Sequence, residues 1–178
     1  MTQPTAVTDH ADRDAPSPWV VRFAPLIAPG GAVLDVAAGG GRHTRFMVKY
    51  GHPVTAVDRD TAALAQRTGI TVVQADLEDG SAWPLGTRKF AGIVVTNYLH
   101  RPLFPLLAGS LLPDGVLIYE TFALGNEALG RPRNPDFLLR PGELLDAFAA
   151  LSVIAYEQGR VDSPQPKVVQ RICAQARP

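Results

Sequence analysis

The sequence predicts an α/β protein built on a doubly wound, mostly parallel β-sheet, and three observations indicate this fold. Short segments that are apolar throughout alternate with segments that carry helix signals, and glycine or proline stops most of them. A glycine-rich loop follows the first apolar segment. Strands that are apolar on both faces are typical of parallel sheets covered by helices on two sides. Strands are predicted at 32–36, 53–57, 70–75, 90–96 and 115–120.

The remaining elements follow from local signals. Residues 1–16 are rich in Thr, Asp and Pro without periodicity and are expected to form a disordered tail, which leaves 17–178 as a single domain. Ser17 before Pro18 is typical of a helix start. Further helices are predicted at about 42–50, 60–68, 101–112 and 141–151. The last two strands, 152–157 and 167–175, have no helix between them, which predicts an antiparallel pair at one edge.

Composition excludes several classes of protein. The 178 residues include 17 Lys and Arg against 17 Asp and Glu, and a net charge of zero argues against a nucleic acid or anionic membrane partner. The single cysteine, Cys173, is expected to be a buried apolar residue, and the four scattered histidines predict no metal site. No apolar run reaches membrane-spanning length and no signal pattern opens the chain, so a cytoplasmic protein is expected. Nothing in the sequence indicates the oligomeric state.

The loop 37–41, "AAGGG", stands where a doubly wound sheet binds its ligand. Glycine lets the backbone approach a ligand and adopt positive φ. The dinucleotide pattern G-x-G-x-x-G is matched only in part, because Thr44 replaces the third glycine in the frame that starts at Gly39. The loop alone therefore leaves a dinucleotide and another adenosine ligand open.

Acidic residues at three strands help to distinguish between these two classes of ligand. Asp35 lies within the first strand, and Asp58 and Asp76 follow the second and third. A carboxylate beside the loop repels a pyrophosphate and favours a cationic ligand. Asp58 is placed to accept hydrogen bonds from a ribose, and Asp76 from the amino group of an adenine. Any one of these acids alone is better explained as a helix cap or solvated residue; three at consecutive strand ends favour a shared ligand.

The chain resembles a known family in these stretches and in two more. "LDVAAGGGRHT", "AVDRD", "ADLE", "VVTNYLHR" and "LLPDGVLIYETF" are similar, in order, to the motifs of class I S-adenosylmethionine-dependent methyltransferases. "FLLRPGELLDAF" is similar to the tellurite-resistance (TehB-like) group, and the resemblance covers about 17–175. It implies a Rossmann-like, three-layer sandwich whose seven-stranded sheet has the order 3-2-1-4-5-7-6 with strand 7 antiparallel. It also implies S-adenosylmethionine as the cofactor.

The resemblance further implies which residues bind this cofactor. They are Asp35, Ala37, Gly39, Gly41, Arg42, His43, Asp58, Arg59, Asp76, Leu77 and Asn97. Ala37 departs from the family pattern, which has glycine there. We therefore expect either an ordinary φ at Ala37 or a slightly displaced cofactor.

Methyl transfer requires a nucleophile held in line with the S–CH3 bond. The catalytic candidates are Asn97, Tyr98 and His100, with His100 as either a general base or a helix-start residue. The candidates for the acceptor site are Tyr119, Glu120 and Phe122 of "YETF", with Phe122 as either a site or a core residue, and Arg131 and Arg133 of the following loop. The two arginines either bind an anion or are simply solvated. On the first helix, Trp19 and Phe23 either cover the cofactor or pack against the sheet.

The sequence thus predicts methyl transfer to a small-molecule acceptor, anionic if the two arginines face the site. Three alternatives stay open: an NAD(P)-dependent reductase, a tRNA methyltransferase and a cofactor-binding protein without turnover. A reductase explains the glycines and Asp58 but not Asp35. RNA is disfavoured by the zero net charge and by the short chain.

Overall fold

A computed structural model describes residues 15–64, 68–163 and 165–178. Within these ranges one sheet has the strand order β3-β2-β1-β4-β5-β7-β6. Neighbouring strands from β1 to β5 pair in parallel, whereas β7 runs antiparallel to both β5 and β6. The predicted order and the antiparallel seventh strand are confirmed. The strands are β1 Val33–Val36, β2 Val54–Asp58, β3 Ile70–Gln74, β4 Phe90–Thr96, β5 Leu111–Phe122, β6 Ser152–Val161 and β7 Lys167–Gln175.

Helices cover both faces of the sheet, which gives the three predicted layers. The helices are α1 Pro18–Phe23, α2 Arg42–Lys49, α3 Phe104–Gly109 and α4 Glu143–Ala147. Alternate residues of each central strand point to opposite faces, so Val33 and Val94 pack with α1 and α2. Leu34 and Ile93 pack on the other side with α3 and α4. The 3-10 turns are Ala24–Leu26, Arg101–Leu103, Asn126–Ala128 and Pro135–Phe137.

Helix α1 begins as predicted, because the Ser17 hydroxyl accepts a hydrogen bond from the Trp19 N–H at 3.2 Å. Trp19 is only 2% exposed and packs with Phe23 in the core on the α2 side of the sheet. Its indole N–H donates to the Ile172 carbonyl at 3.3 Å. The two aromatic residues therefore pack against the sheet and do not form a lid. Cys173, as predicted, is a buried free thiol.

The predicted helix at 60–68 is wrong over its described residues, which form turns; residues 65–67 lie outside the described ranges. The Asp58 carboxylate accepts from the Asp60 N–H at 2.9 Å, and that of Asp60 accepts from the Ala62 N–H at 3.0 Å. Such side-chain bonds to the backbone compete with helix formation. The predicted tail also lies outside the described ranges, except for Ala15 and Pro16.

The two other predicted helices are shorter than expected. The 101–112 helix is a 3-10 turn followed by α3, and β5 already begins at Leu111. The pairing of β5 with β4 jumps from Phe90–Leu111 to Gly92–Val116, so the intervening residues form a bulge. Asp114 within this bulge has a φ of 61°. The 141–151 helix is confined to α4.

Candidate functional site

The glycine loop turns sharply between β1 and α2. Its φ angles are positive at Ala37 (52°), Gly39 (52°) and Gly41 (75°). Of the two alternatives for Ala37, an ordinary φ is ruled out, since the alanine occupies the left-handed region that favours glycine. A Cβ added to Gly39 would meet no atom within 4 Å, whereas one on Gly41 would lie 2.8 Å from Leu64. The loop is thus open on one side and closely packed where α2 begins.

Carboxylates at the ends of β2 and β3 border this loop. The Asp58 carboxylate accepts from the Gly39 N–H at 2.7 Å, which ties the end of β2 to the glycine loop. Asp76 lies after β3, and its carboxylate accepts from the Glu78 N–H at 2.9 Å. Because β1, β2 and β3 are parallel neighbours, their carboxyl ends share one edge of the sheet.

A cavity of about 530 Å³ opens at this edge; we call it the first cavity. Its lining carries three carboxylates (Asp58, Asp76 and Glu78) against one guanidinium (Arg59). This charge balance favours a cationic ligand and disfavours a diphosphate. The full lining is Ala37, Asp58, Arg59, Ala75, Asp76, Leu77, Glu78, Asn97, Tyr98, Leu99, Thr121, Phe122, Pro132 and Phe137.

Asp35 lies beneath the loop, 2% exposed, and is absent from the lining of the first cavity. It accepts a hydrogen bond from the Thr44 hydroxyl at 2.6 Å, and another from the backbone of that residue. Helix α2 has no side-chain cap at Gly41, so Asp35 supplies a carboxylate at its N-terminus from the neighbouring strand. Burial raises the pKa of Asp35 to about 6, although its bonds to Thr44 lower it.

His43 is also buried, with 2% of its surface exposed. Its Nε2 accepts from the Ser17 N–H at 3.0 Å, so the neutral ring carries its proton on Nδ1, 3.2 Å from the Thr96 hydroxyl. Burial, with the nearby Arg42 guanidinium, lowers the pKa of His43 to about 3. With both nitrogens bonded, His43 joins the start of α1 to α2 and to β4, and it lines neither cavity described here.

A second cavity, of about 460 Å³, shares Asn97 and Phe122 with the first. Its lining carries three cationic groups (Arg42, Arg131 and Lys167) against one carboxylate (Glu120), the opposite balance to the first cavity. Its full lining is Ala15, Pro16, Ser17, Pro18, Arg42, Asn97, Glu120, Phe122, Asn126, Leu129, Gly130, Arg131, Ser163, Gln165, Pro166 and Lys167.

Most of the predicted site residues lie in or beside these two cavities. The first is lined by Ala37, Asp58, Arg59, Asp76, Leu77, Asn97 and Tyr98, and the second by Arg42, Asn97 and Arg131. Burial, with nearby carboxylates, raises the pKa of Tyr98. Gly39 and Gly41 shape the loop without lining either cavity.

Three further predicted residues lie outside both cavities. Tyr119 is in the core with Phe104 and Phe148, and its hydroxyl donates to the Tyr98 carbonyl at 2.8 Å. His100 occupies the position just before the 3-10 turn that leads to α3, and its side chain makes no capping hydrogen bond. Arg133 lies on the loop before Pro135–Phe137 and lines neither cavity.

Sequence reasoning missed Glu78 and Lys167 as site residues. It offered Glu120 and Phe122 together with Tyr119, and alternation along β5 was a usable signal for separating them. Tyr119 and Glu120 are adjacent, so their side chains point to opposite faces of the sheet. Only one of the two can line the second cavity, and it is Glu120.

No family model matches the sequence. Solved structures do match it. TehB from Haemophilus influenzae superposes with a TM-score of 0.73 at 16% identity, over 89% of this chain and 61% of that one. This chain thus spans less than two thirds of that protein. The glycopeptide N-methyltransferase MtfA, complexed with sinefungin, gives a TM-score of 0.64 at 19% identity over 100% and 99% of the two chains.

A third structure contains two bound ligands. It is the 1,6-didemethyltoxoflavin-N1-methyltransferase of Burkholderia thailandensis, with bound 1,6-didemethyltoxoflavin and S-adenosylhomocysteine, at a TM-score of 0.63 and 23% identity over 90% and 76% of the two chains. The chain has the fold of class I S-adenosylmethionine-dependent methyltransferases. Among the described residues, no helix is long and apolar enough to cross a membrane. Nor do three or more His, Cys, Asp or Glu side chains of that part of the chain form a group able to hold a metal ion.

Proposed function

We propose that this chain is an S-adenosylmethionine-dependent methyltransferase that acts on a small acceptor. The observation that carries the proposal is the charge of the first cavity. Asp58, Asp76 and Glu78 give it a negative lining at the ligand-binding edge of the sheet, beside a glycine loop. A positively charged sulfonium nucleoside suits this lining, whereas the diphosphate of NAD(P) is repelled by it.

Different residues of the first cavity bind different parts of the cofactor. Asp58 accepts from the ribose hydroxyls, and Asp76 with the Leu77 backbone binds the adenine. Asn97 stands at the methionine end, where the two cavities meet. Asp35 acts indirectly, because its bonds to Thr44 fix the start of α2 and hence the loop that the methionine portion contacts.

The cofactor supplies an electrophilic methyl group when bound. The chain contributes position, since a nucleophile held in line at contact distance removes much of the entropic barrier. Asn97 is the polar residue at the junction of the cavities, and Tyr98 forms the wall beside it. The structures of similar fold that contain sinefungin and S-adenosylhomocysteine support this choice of cofactor.

Calorimetry with S-adenosylhomocysteine and with NAD tests the proposal. We expect the first compound to bind and NAD not to bind. Asp76→Asn should weaken S-adenosylhomocysteine by about 10-fold, because one hydrogen bond to a charged acceptor is lost. Asp79→Asn is a matched control, since its carboxylate accepts from the Ser81 N–H at 2.8 Å just as Asp76 accepts from Glu78, but outside the first cavity. Preferential binding of NAD would refute the proposal.

A further inference from the structure

The second cavity combines unpaired cations with an apolar wall, and this combination specifies an acceptor. We propose that it binds a small carboxylate with an apolar body and that the methyl group is transferred to the carboxylate oxygen. The inference rests on the proposed function and names the acceptor class of the same site. It is carried by three observations: the guanidinium groups without a partner in the described part of the chain, the apolar lining, and a junction whose two residues, Asn97 and Phe122, carry no base.

Two guanidinium groups give the second cavity its positive charge. Arg42 and Arg131 both line the cavity, and within the described part of the chain neither side chain makes a hydrogen bond or ion pair. Glu120 does not neutralise them, because its carboxylate is bonded to Lys167 at 3.3 Å and to Arg171 at 3.0 Å. The free charge of the cavity is therefore positive. A planar guanidinium without a partner matches the geometry of a carboxylate.

The second cavity also has an apolar lining. Phe122 and Leu129 line the cavity with Pro18 and Pro166. Leu129 is 38% exposed, so part of its side chain remains in contact with water. An inorganic oxyanion would leave this surface wet, whereas an aromatic or aliphatic acid would cover it and gain the free energy of apolar burial. A volume of about 460 Å³ accommodates such an acid.

Within the ranges that the structure describes, the two residues at the junction of the cavities offer no free base. Asn97 and Phe122, the two shared residues, do not titrate near neutral pH. Among the described residues no histidine lines either cavity. The Asp58 and Glu120 carboxylates already accept hydrogen bonds, and the raised pKa of Tyr98 keeps its phenol protonated. An acceptor atom that is already ionised, such as a carboxylate oxygen, needs no base at this junction.

The transfer needs no further reactant. One carboxylate oxygen stays on a guanidinium while a lone pair of the other forms the bond to the methyl carbon. The carbon–sulfur bond breaks and its electron pair remains on sulfur, which gives a methyl ester and S-adenosylhomocysteine without moving a proton. The ester has lost the negative charge that the guanidinium groups attract, so the product binds more weakly than the acceptor.

Binding to the S-adenosylhomocysteine-saturated protein tests the acceptor class separately from turnover. The probe is 3-phenylpropanoate, with 3-phenylpropanamide as its neutral counterpart. We expect calorimetry to show at least 10-fold tighter binding of the acid. Arg131→Ala should weaken the acid by about 10- to 100-fold, the effect of losing a hydrogen bond to a charged group, and should leave the amide and S-adenosylhomocysteine nearly unchanged.

Arg133→Ala separates a specific contact from a general loop charge. Arg133 lies two residues further along the same loop and outside both cavities, so its removal should weaken the acid several-fold less than that of Arg131. Equal effects of the two variants would overturn the assignment. So would equal binding of acid and amide, no binding of either, or binding of selenite as tight as that of the acid.

Turnover tests the site of methylation. With S-adenosylmethionine and 3-phenylpropanoate we expect a product that releases methanol on alkaline hydrolysis, as an ester does. Binding of the acid without such a product would overturn O-methylation. Failure of S-adenosylhomocysteine to bind in the first place would instead refute the proposed function, so the two failures are distinguishable.

Discussion

Two buried groups beneath the glycine loop should give the protein opposing pH dependences of stability. The pKa of His43 is lowered from 6.5 to about 3, so between these values the unfolded chain binds the extra proton and the free energy of unfolding rises with pH. The pKa of Asp35 is raised from 3.8 to about 6, so in that window the folded chain holds the proton and stability falls as pH rises.

Substitution of either residue should expose the contribution of the other. Each contribution has a slope of about 1.4 kcal/mol per pH unit where the two states differ by one proton, and the two slopes oppose each other between about pH 4 and 6. As the pH is raised across that interval, the free energy of unfolding of His43→Asn should fall by about 2 kcal/mol relative to that of the wild type. Asp35→Asn should gain about as much, while retaining an amide oxygen for the Thr44 hydroxyl.

Urea denaturation at pH 4, 5 and 6, followed by tryptophan fluorescence, measures these slopes. The comparison uses the change with pH and not the stability at one pH, because each substitution also has a pH-independent cost. The double variant Asp35→Asn/His43→Asn is the control and should recover the wild-type slope. The burial argument would be refuted if the free energy of unfolding of both single variants changed with pH as that of the wild type does, or if both slopes deviated from the wild type in the same direction.

Three further predictions concern packing and strain. Ala37→Gly should raise the free energy of unfolding by up to about 1 kcal/mol, because relief of the positive φ outweighs the extra conformational entropy of glycine in the unfolded chain. A lower free energy of unfolding in a urea titration would contradict this. Gly92→Ala should lower the free energy of unfolding by about 1–3 kcal/mol, because its Cβ would lie 2.5 Å from Ile27. In thermal unfolding, the double variant with Ile27→Ala should lose less stability than the sum of the two single variants. Losses that simply add would exclude the clash. Glu143→Gln should lower the free energy of unfolding by about 1–3 kcal/mol at pH 7, because the carboxylate accepts a hydrogen bond from Arg101 Nε at 2.6 Å. Against the effect of burial, the pKa of Glu143 is lowered by its bonds to Arg101 and Arg140, so this stability is lost on acidification. An equal cost at pH 3 would disprove the role of the ion pair.

The sheet and one wall of the site were predictable because both follow from local patterns. Strand β7 was predicted at 167–175 and spans Lys167–Gln175, since apolar residues between turn signals define it. Asp58 ends a parallel strand and Asp76 and Asn97 each follow one, and parallel strands end at a common edge. The residues therefore meet in the first cavity regardless of the details of the loops between them.

The second cavity had no comparable local signal. Its lining comes from the starts of α1 and α2, the end of β5, the loop after it and the start of β7. Arg131 and Arg133 are equivalent in the sequence, and only the path of the loop brings one of them into the cavity. The pairing of Glu120 with Lys167 depends on the antiparallel register of β5 and β7. Cationic groups gathered from separate segments become visible only in three dimensions.

The opposite charges of the two cavities bear on how the proposed reactants would be held. The negative lining would attract a sulfonium cation on one side of Asn97 and Phe122, and the positive lining would attract a carboxylate on the other. The proposed transfer would convert this cation and anion into two neutral products. Groups that stabilise the separated ions slow such a reaction, so the two linings would contribute through binding and alignment of the reactants and not through stabilisation of the transition state. The zero net charge of the chain thus conceals two local fields of opposite sign, and their meeting point is where a methyl group would be transferred.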